Sequence, residues 1–352
     1  MRLAGLFTRS HGRDEEHPVP EEAAGLPARD ESPPPEQRQE GRIVDELPAE
    51  GAPPEEIGLP SEPEPPRDVR VIGDVSTIIP TREKAPPPEA RQEPQRAGRV
   101  LAFANQKGGV AKTTSTLNLA VALSEEGHRV LVVDMDPQGN LTMSQGFNPD
   151  QITRSMFDVL VHRLPIDQVI HDAEVDLAVS SIDLAGAELA LSSMIGRERA
   201  LEKALAPIKG RYDWILVDTP PSLGLLTINA LVAADEVIVP VQCEYLSLRG
   251  LVQLENTLSM IRENLNPNVA IQGILPTMFD GRTLHSREAI EILQENFGDL
   301  VFKTRIKKTV RYAEAPVKGS SVLKYDPSGN AASAYRELAK EVLDGAKARK
   351  HA

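Results

Sequence analysis

The stretch from Lys107 to Thr114 reads KGGVAKTT, and its residue types suit a polyphosphate. Gly108 and Gly109 let backbone N–H groups approach phosphate oxygens, while a helix opening at Lys112 adds the positive end of its dipole. Val110 and Ala111 complete the loop's backbone. Lys112 is spaced to reach β- and γ-phosphates, and the Thr113 hydroxyl to meet Mg²⁺. Thr114 is placed to bond an α-phosphate oxygen. A glycine turn merely capped by a lysine is the alternative, but the loop lies between an apolar strand and a helix, the context that phosphate binding needs.

Those residues must be positioned by the elements around them. RVLAFA from Arg99 reads as a short buried strand, and Lys112–Glu126 as a helix with apolar residues at 117, 120, 121 and 123, closed by Gly127. Further strands are expected at Val130–Val133, Val175–Ser180, Trp214–Val217, Glu236–Val241, Val269–Met278 and Leu300–Ile306. Helices are expected between them, at Leu184–Ala206, Leu223–Ala233, Leu246–Asn264, Ser286–Phe297 and Ala331–Lys347. Continuous apolar strands alternating with helices imply an α/β fold: a mainly parallel β-sheet with helices on both faces.

The first hundred residues differ in kind. They hold 18 of the 29 prolines and 13 Lys and Arg against 21 Asp and Glu, with almost no apolar run of element length. Such a chain cannot bury enough surface to offset its entropy, so residues 1–97 are expected to be a disordered acidic tail before one folded domain at 98–352. Two less polar segments, Met1–Arg9 and Val69–Ile79, read either as short docking peptides or simply as the less polar parts of a linker.

The single cysteine, Cys243, excludes a disulfide framework, a Cys-ligated zinc site and an iron–sulfur ligand set within one chain. No apolar run reaches the length of a membrane span and no signal peptide is evident, so a cytoplasmic protein is expected. A net charge of −13 argues against a generally basic nucleic-acid binder, though not against a local basic patch.

The loop departs from the common G-x-x-x-x-G-K-[ST] pattern, because Gln106 and Ala111 stand where its two glycines fall and Lys107 leads instead. This resembles the deviant Walker A loop of the ParA/MinD family of P-loop ATPases, K-G-G-x-G-K-[ST]. Ala111 is the departure, and an alanine is expected to fit there only with a negative φ. VLVVDMDPQGNL (130–141) resembles the family's VDxDPQ motif, and WILVDTPPS (214–222) its Walker B strand and switch loop. The resemblance implies a P-loop NTPase fold, ATP and Mg²⁺ as cofactors, and slow, partner-stimulated ATP hydrolysis. It implies that Lys107 crosses a dimer interface to the partner's nucleotide and that Asp136 positions or activates the attacking water. Asp134 would then stand near the metal shell and Asp218 would hold the metal. The plainer alternative for Asp134 and Asp136 is that they only cap a strand-to-helix turn.

Within the family, PVQCEYLSLRGL (240–251), GILPTMFDGRT (273–283), VRYAEAP (310–316) and the final LKYDPSGNAASAYRELAKEV resemble the chromosome- and plasmid-partitioning ParA branch. The chain end lacks the bulky apolar residues of a membrane-anchoring helix. That branch implies an ATP-dependent homodimer, a ParB-like partner, nucleoid association and non-specific double-stranded DNA, with Arg282, Lys308 and Arg311 matching its basic contacts. Locally, Lys303, Arg305, Lys307, Lys308 and Arg311 form a run without an acid, which suits phosphates but also reads as a solvated basic face. The alternative within the family is a positioning or cell-division ATPase acting on a protein cargo. The base of the nucleotide is expected near Val310–Pro316.

Overall fold

The computed structural model describes residues 98–243 and 248–350. The expected tail, with its segments Met1–Arg9 and Val69–Ile79, lies outside the described residues, as does part of the 240–251 motif.

The described chain opens with β1 (Arg99–Phe103), α1 (Lys112–Glu125) and β2 (Val130–Asp134), as expected. Next come α2 (Asn140–Ser144), α3 (Met156–Val161), β3 (Ile170–His171) and β4 (Asp176–Ala178). The chain continues through α4 (Ala187–Ser192), α5 (Ala200–Leu205), β5 (Trp214–Asp218), α6 (Leu225–Ala233) and β6 (Glu236–Gln242). It ends with α7 (Leu248–Asn264), β7 (Ala270–Thr277), α8 (Leu284–Phe297), α9 (Arg311–Val317), α10 (Val322–Tyr325) and α11 (Asn330–Lys350). The strands form one sheet in the order β3-β4-β2-β5-β1-β6-β7. Every pairing is parallel except that of β3 with β4 at the edge.

Residue parity divides the core as period-two side chains require. Val100, Ala102, Leu131, Val133, Ile215 and Val217 face one layer, with residues of α3–α7. Leu101, Phe103, Val130, Val132, Trp214 and Leu216 face the other, made by α1, α10 and α11. The apolar stripe of α11, including Tyr335, Leu338 and Val342, is spent on this core. Among the described residues no helix is long and apolar enough to cross a membrane.

Two expectations fail. Leu300–Ile306 is not a strand; Val301 makes an isolated bridge with Ile274, and Lys307, just beyond the segment, makes another with Phe279. The Lys303 and Thr304 N–H groups donate instead to the Glu341 carboxylate on α11, at 2.9 and 2.7 Å, so a side chain diverts the ladder. Leu184–Ala206 is not one helix either. Gly196 takes the left-handed conformation (φ 69°) between α4 and α5, and the Leu201 N–H that opens the second piece is held by Asn229 Oδ1 at 3.1 Å.

Candidate nucleotide site

Parallel register brings the carboxyl ends of three strands together. Asp134 at the end of β2 is level with Asp218 at the end of β5, and Asp218 is level with Phe103 at the end of β1. Ligands of open α/β sheets lie at such strand ends, and here the glycine loop closes over them.

The loop is held from both sides. Asn105 Nδ2 donates to the Pro240 carbonyl at 2.7 Å, and the Lys107 N–H donates to Asn105 Oδ1 at 3.0 Å. Thr277 Oγ1 donates to the Val110 carbonyl at 3.1 Å. The Val110 side chain is buried beneath, so only its backbone is available to a ligand. Gly109 has φ 70° and Ala111, the N-cap of α1, has φ 64° and ψ 35°. The expectation of a negative φ at Ala111 is therefore wrong. The alanine adopts the glycine conformation and carries its strain, because the Ala111 carbonyl must accept the first helical bond from Ser115 N–H, at 2.9 Å. Replacing Ala111 with glycine should accordingly stabilise the domain by about 1 kcal/mol, seen as a rise of roughly 2–4 °C in a ligand-free thermal melt. A lower melting temperature would contradict this assignment of strain.

The two lysines differ in placement. Lys107, like Gly108 and Gly109, is exposed at the rim. Lys112 is buried, and its Nζ donates to the carbonyls of Asn105 and Lys107 at 3.0 and 3.2 Å. Burial lowers its pKa, while Asp218 and Asp136 act in the other direction. Asp218 is fully buried, and burial, then the nearby Asp134, raises its pKa well above the carboxylate range. Its Oδ2 has no hydrogen-bond partner among the described residues. A buried carboxylate oxygen lacking a donor, beside the Thr113 hydroxyl at a helix start, suits a hard cation held together with phosphates. The residues therefore fit Mg²⁺, although no group of three or more His, Cys, Asp or Glu side chains able to hold a metal alone occurs among the described residues. That absence is ordinary for Mg²⁺, which shares its shell with substrate phosphates and water.

Asp134 is fully buried. Its Oδ2 accepts the Thr142 N–H and Oγ1 at 2.9 and 2.7 Å, and its Oδ1 accepts the Asp136 N–H at 3.1 Å. Burial pushes its pKa up to about 6 despite those donors. The carboxylate thus holds the loop that follows β2. Asp136 lies at the surface of the cleft itself, with Oδ1 accepting the Gln138 N–H at 3.0 Å.

That cleft, of about 470 Å³, runs from Gly108, Gly109, Ala111, Lys112, Thr113 and Thr114 past Asp136 and Asn140 to Tyr312, Ala315, Pro316 and Val322. Its far end is the segment where the base was expected. Asn118 ties the ends together: its Nδ2 donates to the Thr114 carbonyl at 2.7 Å and its Oδ1 accepts the Val322 N–H at 2.8 Å. Asn105, Asn118 and Thr142 escaped sequence reasoning because each acts through hydrogen bonds that no motif spacing announces.

The basic residues also come together. Arg282 and Lys308 share one shallow depression, and Lys308 and Arg311 a second beside it. The run is not free of acids in space, however. Arg282 pairs with Asp280, holding that carboxyl down to about 2, and Arg311 pairs with Glu314 and Asp326.

A model of the AAA domain (AAA_31) matches residues 98–271. The chain is 46% identical over 248 residues to the sporulation initiation inhibitor protein Soj of Bacillus subtilis, covering 70% of this chain and 98% of that one. It is 41% identical over 249 residues to the chromosome partitioning protein ParA of Myxococcus xanthus, covering 70% and 88%. Among solved structures, one of Mycobacterium smegmatis described as cobyrinic acid a,c-diamide synthase, with a bound ATP analogue and magnesium, is 42% identical over 71% of this chain and 96% of that one, with a TM-score of 0.64. The cell division ATPase MinD of Pyrococcus furiosus is 26% identical over 70% and 99%, with a TM-score of 0.58. With the lysine-led loop, the paired strand-end aspartates and these relatives together, the chain belongs to the ParA/MinD family of P-loop ATPases.

Proposed function

We propose that this ATPase is an ATP-dependent dimer switch that binds DNA non-specifically and acts in chromosome or plasmid partitioning with a ParB-like partner. Its cofactors are ATP and Mg²⁺. Lys112, with the backbone of Gly108 to Thr114, binds the phosphates; Thr113 and Asp218 hold Mg²⁺, and Asp134 supports the site from behind. When bound, the metal neutralises phosphate charge as it builds up during transfer. Asp136 orients the attacking water from the cleft wall, and Tyr312, Ala315 and Pro316 receive the base.

The single observation that carries the dimer reading is the division of labour between the two lysines. Lys112 is buried against its own loop, whereas Lys107 sits on the exposed rim of the same cleft, where a second subunit's nucleotide can be reached. The face of Arg282, Lys308 and Arg311 is the proposed DNA surface, doubled on dimerisation, and the proposed location is the cytoplasm, on the nucleoid. The likeness to MinD favours a second reading, in which the same switch positions a protein cargo.

A gel shift with non-specific duplex DNA, with and without ATP, tests the proposal and separates the two readings. Binding only with ATP supports partitioning; no ATP-dependent binding would sink it. Replacing Arg282, Lys308 and Arg311 with alanine should weaken binding uniformly across sequences and flatten the salt dependence by about 1 in slope per lost phosphate contact.

A further inference from the structure

Asp136 stands in a loop, yet both of its backbone polar groups are fixed by buried side chains. Its N–H donates to Asp134 Oδ1 at 3.1 Å. Its carbonyl accepts Ser180 Oγ at 2.8 Å, from a residue just beyond β4. The two anchors are joined through one hydroxyl: Thr142 Oγ1 donates to Asp134 Oδ2 at 2.7 Å and accepts the Ser180 N–H at 3.0 Å. The result is a closed ring through Asp136, Asp134, Thr142 and Ser180. Asp134, Thr142 and Ser180 are each 0% exposed.

A ring of this kind is more demanding than four separate bonds. The Thr142 hydroxyl has a single proton, and Asp134 takes it, so its oxygen must face Ser180 as an acceptor. Each bond therefore sets the direction of the next, and water cannot reach the ring to replace a lost member. The ring ties the loop after β2 to the neighbouring strand β4, which a helix cap would not need to do.

We propose that Thr142 and Ser180 are positioning residues for hydrolysis, acting through the Asp136 backbone to hold its carboxylate where it orients the attacking water. This rests on the reading of Asp136 given above. Neither residue lines the cleft, so the ring should govern the rate of bond cleavage and leave nucleotide affinity alone.

The test is to measure equilibrium binding of a fluorescent ATP analogue and single-turnover ATP hydrolysis with the full chain. Thr142→Val keeps the shape but removes both hydroxyl bonds; its hydrolysis should fall about 10- to 100-fold with binding essentially unchanged. Thr142→Ser restores the hydroxyl and should recover most of the rate. Ser180→Ala, a smaller change that keeps its N–H, should show the same split with a smaller loss. Wild-type hydrolysis in both Thr142→Val and Ser180→Ala would overturn the proposal. So would parallel loss of binding and hydrolysis, which marks a purely structural role. Asp136→Ala run alongside tests the underlying reading: normal turnover there removes that reading, whereas lost turnover there with intact Thr142→Val and Ser180→Ala overturns the ring alone.

Discussion

Lys112→Ala should lower ATP affinity by about 10²- to 10³-fold, corresponding to roughly 3–4 kcal/mol. The ammonium is buried beside the cleft, and burial already disfavours its charge, so a phosphate that replaces the lost hydration is bound strongly. The substitution also removes the positive neighbour of Asp218 and Asp136, leaving a cluster of carboxylates facing an incoming polyanion. Isothermal titration with Mg²⁺–ATP measures the loss directly. An affinity within a few-fold of wild type would mean that the loop backbone alone holds the phosphates. Lys107→Ala provides the contrast: it should retain binding by the isolated subunit and lose ATP-dependent dimerisation on a sizing column.

Asp218→Asn should move two properties in opposite directions. Burial and the neighbouring Asp134 penalise the charged form of this carboxyl, which is why its pKa is raised, and an amide of the same shape never carries that charge. The ligand-free variant should therefore melt above wild type at a pH high enough to ionise Asp218. It should also gain far less from Mg²⁺–ATP, with metal-dependent affinity down about 10- to 100-fold. A lower ligand-free melting temperature, or an undiminished gain from Mg²⁺–ATP, would refute the assignment. The same logic fixes a pH dependence. Asp134, ordinarily ionising near 3.8, is raised to about 6 in the fold, so the folded state holds a proton that the unfolded chain has released. Its contribution to stability is full below about 4 and is lost as pH rises through about 6, the reverse of a salt-bridged carboxylate.

Much of this site could be read in one dimension, and the reason is contiguity. The glycine loop, Lys112 and Thr113 are neighbours along the chain, and the strand before them and the helix after them are each specified by local apolar pattern. The strand-end aspartates could be read for the same reason, since a run such as VLVVD or WILVD reports both its burial and where it stops. What contiguity cannot report is which groups meet. Thr142, eight residues on, binds the Asp134 carboxylate, and Ser180 lies 44 residues from the carbonyl it fixes. Glu341 takes the N–H groups that would have made Leu300–Ile306 a strand. Ala111 was misjudged because side-chain preference favours a negative φ, whereas the loop must turn into α1 at that point and the surrounding hydrogen bonds outweigh the preference. The sequence by itself thus determined the class of chemistry and the sheet that carries it, since both follow from backbone pattern over a few adjacent residues. The tertiary structure alone decided which buried carboxylate keeps an oxygen without a donor among the described residues and which is spent on the loop. That choice depends on hydrogen-bond donors brought in from distant parts of the chain.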